Sequence, residues 1–188
     1  MVAASILPVA LHKGKIYFLF GKENEMEDSA PGFSDFGGRV ENSESIMETA
    51  LREGSEELCG FLGEPENIRV LMKGGIMPLV HDTYHIHIFS MEFDENLPCY
   101  YTNHYKFLWQ RMDKNLLNDS KFFEKQEIRW FSIEDMRNKK HEFREFYQKI
   151  VDMILSKTKE ISVFVKKVNN KRGICSRSRT TRRRMKGG

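Results

Sequence analysis

The stretch that most restricts the fold is "SESIMETALREGSEELCGF", residues 43–61. Ser45 followed three positions later by Glu48 is a capping-box pattern, in which the serine oxygen and the glutamate carboxylate each satisfy a free backbone N–H at a helix start. A helix is therefore expected from Ile46. At 100° per residue, Met47, Ala50, Leu51, Gly54 and Leu58 fall on one stripe, the face to be packed on a sheet. Gly54 lies inside that stripe, where a glycine costs about 1 kcal/mol of helix stability against alanine. A very close approach of helix to sheet would account for that cost. Beside the stripe, Glu53, Glu56 and Glu57 sit at i, i+3 and i+4 and share one arc of the helix, a spacing at which like charges destabilise it. Arg52 can pair with Glu44 or Glu56, but one cation does not neutralise the group. Two readings follow: a solvated charged face, or a site for a hard divalent cation, which takes oxygen ligands and often keeps waters and substrate phosphates as well.

The remaining segments suggest what this helix packs against. "SILPVAL" and "KIYFLFGKE", separated by His12, Lys13 and Gly14, read as a β-hairpin. A polar loop then returns to a short strand near Phe36. "NIRVLMKGGIMPLV" and "DTYHIHIFSMEF" read as two further strands, the second by its alternation. A helix is expected within "NHYKFLWQRMDKNLL", then a strand "EIRWF", a short helical turn from Ser132, and an amphipathic helix carrying Phe143, Phe146, Ile150, Met153 and Ile154 at helical spacing. Strands interrupted by helices without regular βαβ alternation indicate an α/β fold with a mixed sheet. A length of 188 residues suffices for one such domain with a real core.

Charge is divided unevenly along the chain. Residues 166–188 carry ten Lys and Arg and no acid, which leaves 20 basic against 27 acidic residues in 1–165. The expected organisation is a domain over 1–165 and a disordered basic tail over 166–188, since the tail is nearly without large apolar residues to offset the entropy of ordering. No run approaches the roughly 18 apolar residues of a membrane span, and no basic region precedes the first apolar stretch as in a signal peptide. A soluble, cytoplasmic protein with no membrane contact is expected. The widely separated Cys59, Cys99 and Cys175 suggest reduced thiols and neither a disulfide framework nor a zinc site. His85 and His87, alternating on one strand, lack a third ligand nearby and read as packing or surface residues. Tyr84, Phe89, Tyr100, Tyr101 and Trp109 include candidates for stacking on a nucleobase, with core packing as the plainer reading.

The acidic helix also carries a resemblance. Gly38, five residues, Glu44, seven residues, Arg52-Glu53, two residues and Glu56-Glu57 is similar to the signature of the Nudix hydrolases, which cleave nucleoside diphosphates linked to another moiety. One departure occurs: Leu58 and Cys59 precede Gly60, where the family has a single residue before its glycine. That extra residue is expected to lengthen the helix end and alter the following turn. The likeness extends over about residues 4–155 and implies an α/β/α sandwich around a mixed sheet. It implies that Glu53, Glu56 and Glu57, with the Gly37 carbonyl, hold Mg2+ or Mn2+. It casts Gly38, Glu44 and Arg52 as structural members of the box, with Glu44 open to a second ion. Catalysis is assigned to Glu53, Glu57 and a further acid from "FFEKQEIRW", with Glu127 preferred over Glu124 because it opens the strand.

The implied activity is cleavage of a diphosphate linkage in a nucleotide or in capped or 5′-phosphorylated RNA. The tail's Arg182, Arg183 and Arg184 are candidate RNA contacts, because flexible basic segments attract phosphate backbones; a solubility, localisation or packaging signal is the other reading of that run. "TRRRMKGG" also resembles basic tails of proteins from large DNA viruses, which would place the protein in host cytoplasm or a virion. The alternative reading is a non-catalytic Nudix module that binds nucleotide or RNA.

Overall fold

The computed structural model describes residues 1–25, 31–41, 43–113, 115–116 and 124–184, with side chains as far as Lys171. β1 (Ala3–His12) and β2 (Lys15–Glu23) form the expected hairpin, turning at Lys13 and Gly14, both at positive φ. They pair only from Val9 and Phe18 to the turn. Beyond that point the strands part, and β3 (Phe33–Ser34) and β4 (Phe36–Arg39) occupy the split, β3 on β2 and β4 on the first half of β1. β5 (Ile76–His81) and β6 (Tyr84–Met91) make a second hairpin, with β6 parallel to β1. β7 (Lys125–Ser132) runs antiparallel to the outer side of β2 and completes a mixed seven-stranded sheet.

Helices cover both faces, which gives the expected α/β/α layering. On one face α1 (Ile46–Glu57), α2 (Pro65–Met72) and α3 (Leu97–Trp109) pack on Ala4, Ile6, Leu19, Phe36 and Ile128. On the other, α4 (Ile133–Asn138), α5 (Tyr147–Ser156) and α6 (Thr158–Arg184) cover Leu7, Phe18, Phe20, Phe33 and Phe131. The capping box at Ser45 and Glu48 is formed in both directions. Gly54 meets the sheet as its cost implied: a Cβ there would lie 2.3 Å from Ile6 Cδ1.

Three expectations are corrected. The segment from Asn67 to Met72 is the helix α2, started by Pro65 in its first turn, where a missing N–H costs nothing, and by a capping box between Glu64 and Asn67; only Ile76 onward is strand. α3 begins at Leu97, six residues before the expected start, with Pro98 in its first turn. α1 is not lengthened by its extra residue: it ends at Glu57, and Cys59 (φ 49°) and Gly60 (φ 71°) absorb the insertion as consecutive left-handed residues. The expected boundary at Lys166 falls within the span of α6. Val165 and Val168 are buried, and Ser90 Oγ donates to Asn169 Oδ1 at 3.1 Å, so helical spacing continues the core into the basic segment. The side chains of Arg182, Arg183 and Arg184 lie outside those described. No helix among the described residues is long and apolar enough to cross a membrane.

Candidate active site

Where β1 and β2 part, the ends of β2 and β4, the exposed side of α1 and the start of β7 enclose a cleft of about 550 Å3. Gly37, Gly38, Glu53, Glu56 and Glu57 line it, as do Glu23, Glu124 and Arg144. The box acids and the Gly37 backbone thus face one space. Gly38 leaves room for the Glu53 carboxylate: a Cβ there would lie 2.3 Å from one of its oxygens, and that side chain would have to swing away.

The N-terminal part of α1 is braced by Arg52. Its Nε and Nη2 donate to the two oxygens of Glu44 at 2.7 and 3.1 Å, a bidentate pair that Thr49 Oγ1 joins at 2.7 Å. Hydrogen bonding from Arg52 holds the Glu44 carboxyl down at about 2. Glu44 and Arg52 thus form a bidentate ion pair across the start of α1. Arg52 also reaches forward, its Nη1 donating to Glu53 at 3.0 Å and Glu56 at 3.1 Å.

The C-terminal end of α1 is dry. Glu57 is buried and accepts from the Gly37 N–H at 2.8 Å through Oε2, while its Oε1 meets Lys125 Nζ at 3.0 Å. Lys125, 1% exposed, also pairs with Glu23 and donates to Ser34 Oγ at 3.2 Å. Gly21 makes room for the lysine stem, since a Cβ there would lie 2.8 Å from Lys125 Cγ. Burial pushes the Glu57 carboxyl up to about 8 against the pull of Lys125. Burial alone would lower the Lys125 ammonium, but Glu57 and Glu23 outweigh it and hold it above the ordinary lysine value. The Tyr101 hydroxyl lies 2.8 Å from the Glu57 carbonyl and 2.9 Å from that of Lys125, tying the helix end to β7. Tyr101 is a core residue, not a base platform.

In β7, Lys22 lies opposite Glu127 and Glu23 opposite Lys125, so Gln126 is an extra residue and the strand is re-aimed at its start. Glu124 lines the cleft, while Lys125 is buried against Glu23 and Glu57. Glu127, the acid preferred from the sequence, is not among the lining residues and accepts from Arg129 at 2.6 Å. Lys125 had no sequence signal beyond its place beside Glu124, because a lysine before a strand ordinarily reads as solvated.

Two further polar groups lie away from the cleft chemistry. Asp35, buried between β3 and β4, accepts from Ser5 Oγ at 2.6 Å and Tyr84 Oη at 2.5 Å; burial raises its carboxyl to about 6. It pins the split in the sheet. His87 Nδ1 lies 3.0 Å from the Ser5 carbonyl, and burial lowers its imidazole below the ordinary value.

Among the described residues no three His, Cys, Asp or Glu side chains converge on one point. Glu53 and Glu56 turn toward Arg52, and Glu57 toward Lys125. The donor chemistry nevertheless fits a hard cation: carboxylate oxygens and a strand-end backbone share one cleft, with no sulfur or imidazole among its lining groups.

Comparison with known proteins agrees with this arrangement. The model of the NUDIX domain family matches residues 1–153. The chain belongs to that family, and with it to the hydrolases acting on phosphoric anhydride bonds. A Nudix hydrolase from M. smegmatis, RenU, is 12% identical over 86% of this chain and 88% of its own, with a TM-score of 0.51, a likeness of fold. An Ap4A hydrolase from C. elegans is 16% identical over 87% of this chain and 98% of its own, with a TM-score of 0.48. A bifunctional NMN adenylyltransferase/ADP ribose pyrophosphatase from Francisella tularensis, complexed with AMP and a Mn ion, is 15% identical over 82% of this chain and 42% of its own, with a TM-score of 0.47. No curated protein matches the sequence.

Proposed function

We propose that this chain is a metal-dependent hydrolase that cleaves the diphosphate linkage of a nucleoside diphosphate derivative. The observation that carries the reading is the shared cleft of Glu53, Glu56, Glu57 and Glu124 beside the Gly37–Gly38 backbone. Glu53, Glu56, Glu57 and the Gly37 carbonyl would hold Mg2+ or Mn2+. When bound, such an ion screens the anhydride, polarises phosphorus and lowers the pKa of water.

The chain's own groups do the rest. The Gly37 N–H and Lys125 fix the Glu57 carboxylate from two sides, so that its remaining lone pairs are presented in one orientation. The Glu44–Arg52 pair ties α1 to the segment that leads into it. Glu124, the carboxylate of the cleft contributed from β7's side rather than from α1, is assigned the proton of the attacking water, in the role of general base.

A small nucleotide is preferred to an RNA 5′ end as substrate. α6, which begins the basic segment, packs on the sheet face opposite α1, through Ile161 and Val165. The retained box acids favour an enzyme over a binding module. The deciding experiment measures product release from nucleoside triphosphates, nucleotide sugars, dinucleoside polyphosphates, diphosphoinositols, capped RNA and triphosphorylated RNA, each with and without Mg2+ or Mn2+. The reading requires metal-dependent release of a diphosphate-cleavage product by the wild type and its loss in Glu57→Gln. Tight nucleotide binding with no turnover on any substrate would move the conclusion to a binding module.

A further inference from the structure

Arg144 reaches the cleft from outside the signature. It lies between the 3-10 turn at Lys140–Glu142 and α5, and its backbone N–H donates to the Phe33 carbonyl at 3.1 Å. Phe33 and Phe143 form an isolated parallel bridge beside it. Gly32, at φ +123°, permits this approach, because a Cβ there would lie 2.6 Å from the Arg144 nitrogen. The segment is thus stitched onto β3, and its arginine is delivered to the acidic cleft by a fixed backbone.

The side chain is held at one corner only. Nη1 donates to Glu23 Oε1 at 2.8 Å, and the guanidinium carbon lies 4.9 Å from the centre of the Phe146 ring. Nε is buried with no hydrogen-bond partner, and Nη2 makes no hydrogen bond among the described residues. Glu23 does not depend on this arginine for its charge balance, since Lys125 also pairs with it. The other arginines of the cleft differ: Arg52 is spread over Glu44, Glu53 and Glu56, and Arg39 is exposed. A buried N–H without a partner costs about 1–3 kcal/mol. With Nη1 on Glu23 and Nε enclosed, Nη2 is the donor left for an anion in the cleft.

We propose that Arg144 is the phosphate-binding arm of the cleft, its Nη2 donating to a non-bridging oxygen of the substrate's diphosphate. The proposal rests on the hydrolase reading for the class of ligand, a diphosphate or longer chain. It places the anion between the carboxylate wall of α1 and a cation supplied by the C-terminal half of the domain. Arg144 is then a specificity residue: it rewards a second phosphoryl group, which a nucleoside monophosphate lacks.

The experiment uses the full chain with Mg2+ and a methylene-bridged, non-hydrolysable analogue of ADP, with AMP as the single-phosphate control, and reads affinity by calorimetry below the lowest unfolding midpoint of the set. Arg144→Gln should weaken analogue binding about 10-fold or more, the loss of one charge-assisted contact. Its effect on AMP should be smaller. Arg144→Lys, which keeps the charge beside Glu23 but has no second nitrogen to hold Glu23 and an anion together, should weaken the analogue about threefold or more, and serves if the glutamine variant does not fold. Unchanged affinity in both Arg144 variants, or a loss for AMP equal to that for the analogue, overturns the proposal. Turnover by the wild type with arginine-insensitive binding would overturn this role alone and leave the hydrolase reading standing. Arginine-dependent binding without any turnover would do the reverse.

Discussion

The two ends of α1 carry the same kind of interaction and respond to it in opposite ways. At the first turns, Glu44 pairs with Arg52 at the edge of solvent, and its carboxyl is held down at about 2. At the last turn, Glu57 pairs with Lys125 at a comparable distance, yet its carboxyl stands at about 8. Charge complementarity is similar at both ends; what differs is water. Where solvent still reaches the pair, hydrogen bonds to the charged form decide the direction, and where burial is complete, desolvation outweighs them. The first end is a brace, and the second is a set of groups kept in place because none has anywhere else to go.

Removal of the buried cation should have the largest effect. Lys125→Met removes the ammonium that pairs with both Glu23 and Glu57 in a buried site, and should cost about 3–5 kcal/mol of stability in urea unfolding. A loss below about 1 kcal/mol would mean that the dry end is better hydrated than its geometry indicates.

The bulge at Gln126 sets which acid accompanies that lysine, so the next test compares neighbours on β7. Glu124→Gln should lower kcat by about 100-fold or more with saturating Mg2+, as for loss of a general base. Glu127→Gln should stay within about twofold, since its partner is Arg129 outside the cleft. The reverse ranking would show that β7 enters the site in the other register.

A third test follows the sign of the Glu57 shift. Its folded value is raised from 4.5 to about 8, so the proton is bound more tightly in the folded chain. The stability it contributes is full below about 4.5 and is lost as pH rises toward about 8. Asp35 acts in the same sense but only from 3.8 to about 6. Melting temperatures in EDTA should therefore fall between pH 6 and 8 in the wild type, and Glu57→Gln should flatten that interval. A slope that persists in the variant would reassign it to another group.

The smallest effect belongs to the wetter end. Glu44→Gln should cost about 1 kcal/mol, as for a partly exposed pair, and the cost should shrink in high salt. A loss as large as that of Lys125→Met would erase the distinction between the two ends.

Much of this contrast can be read from the chain, but unevenly. The capping box, the apolar stripe with Gly54, and the arc of Glu53, Glu56 and Glu57 are local patterns, and each depends on helix geometry that repeats within a few residues. The partners at the dry end are 34 and 68 residues from Glu57 in sequence, as the numbering of Glu23 and Lys125 shows. No periodicity links them. Glu127 is preferred in the sequence because it opens the apolar run "EIRWF", but the strand begins two residues earlier, at Lys125, with an extra residue at Gln126. α2 was obscured because "NIRVLM" is rich in β-branched and apolar residues, while its Pro65 start precedes the stretch that looks like strand. The basic end of the chain was assigned by composition, and composition does not register that Val165 and Val168 fall on the stripe begun by Ile161.

Arg52 has a consequence beyond bracing. Glu53 and Glu56 are occupied by a guanidinium, so any cation that takes them does so by ion exchange with the protein's own side chain. A monovalent ion would replace one positive charge with another and lose the arginine's directed hydrogen bonds. A divalent ion gains a full additional charge against the same carboxylates. On the proposed metal role the helix would therefore discriminate by valence, with a stringency set by how firmly Glu44 keeps hold of the arginine it shares.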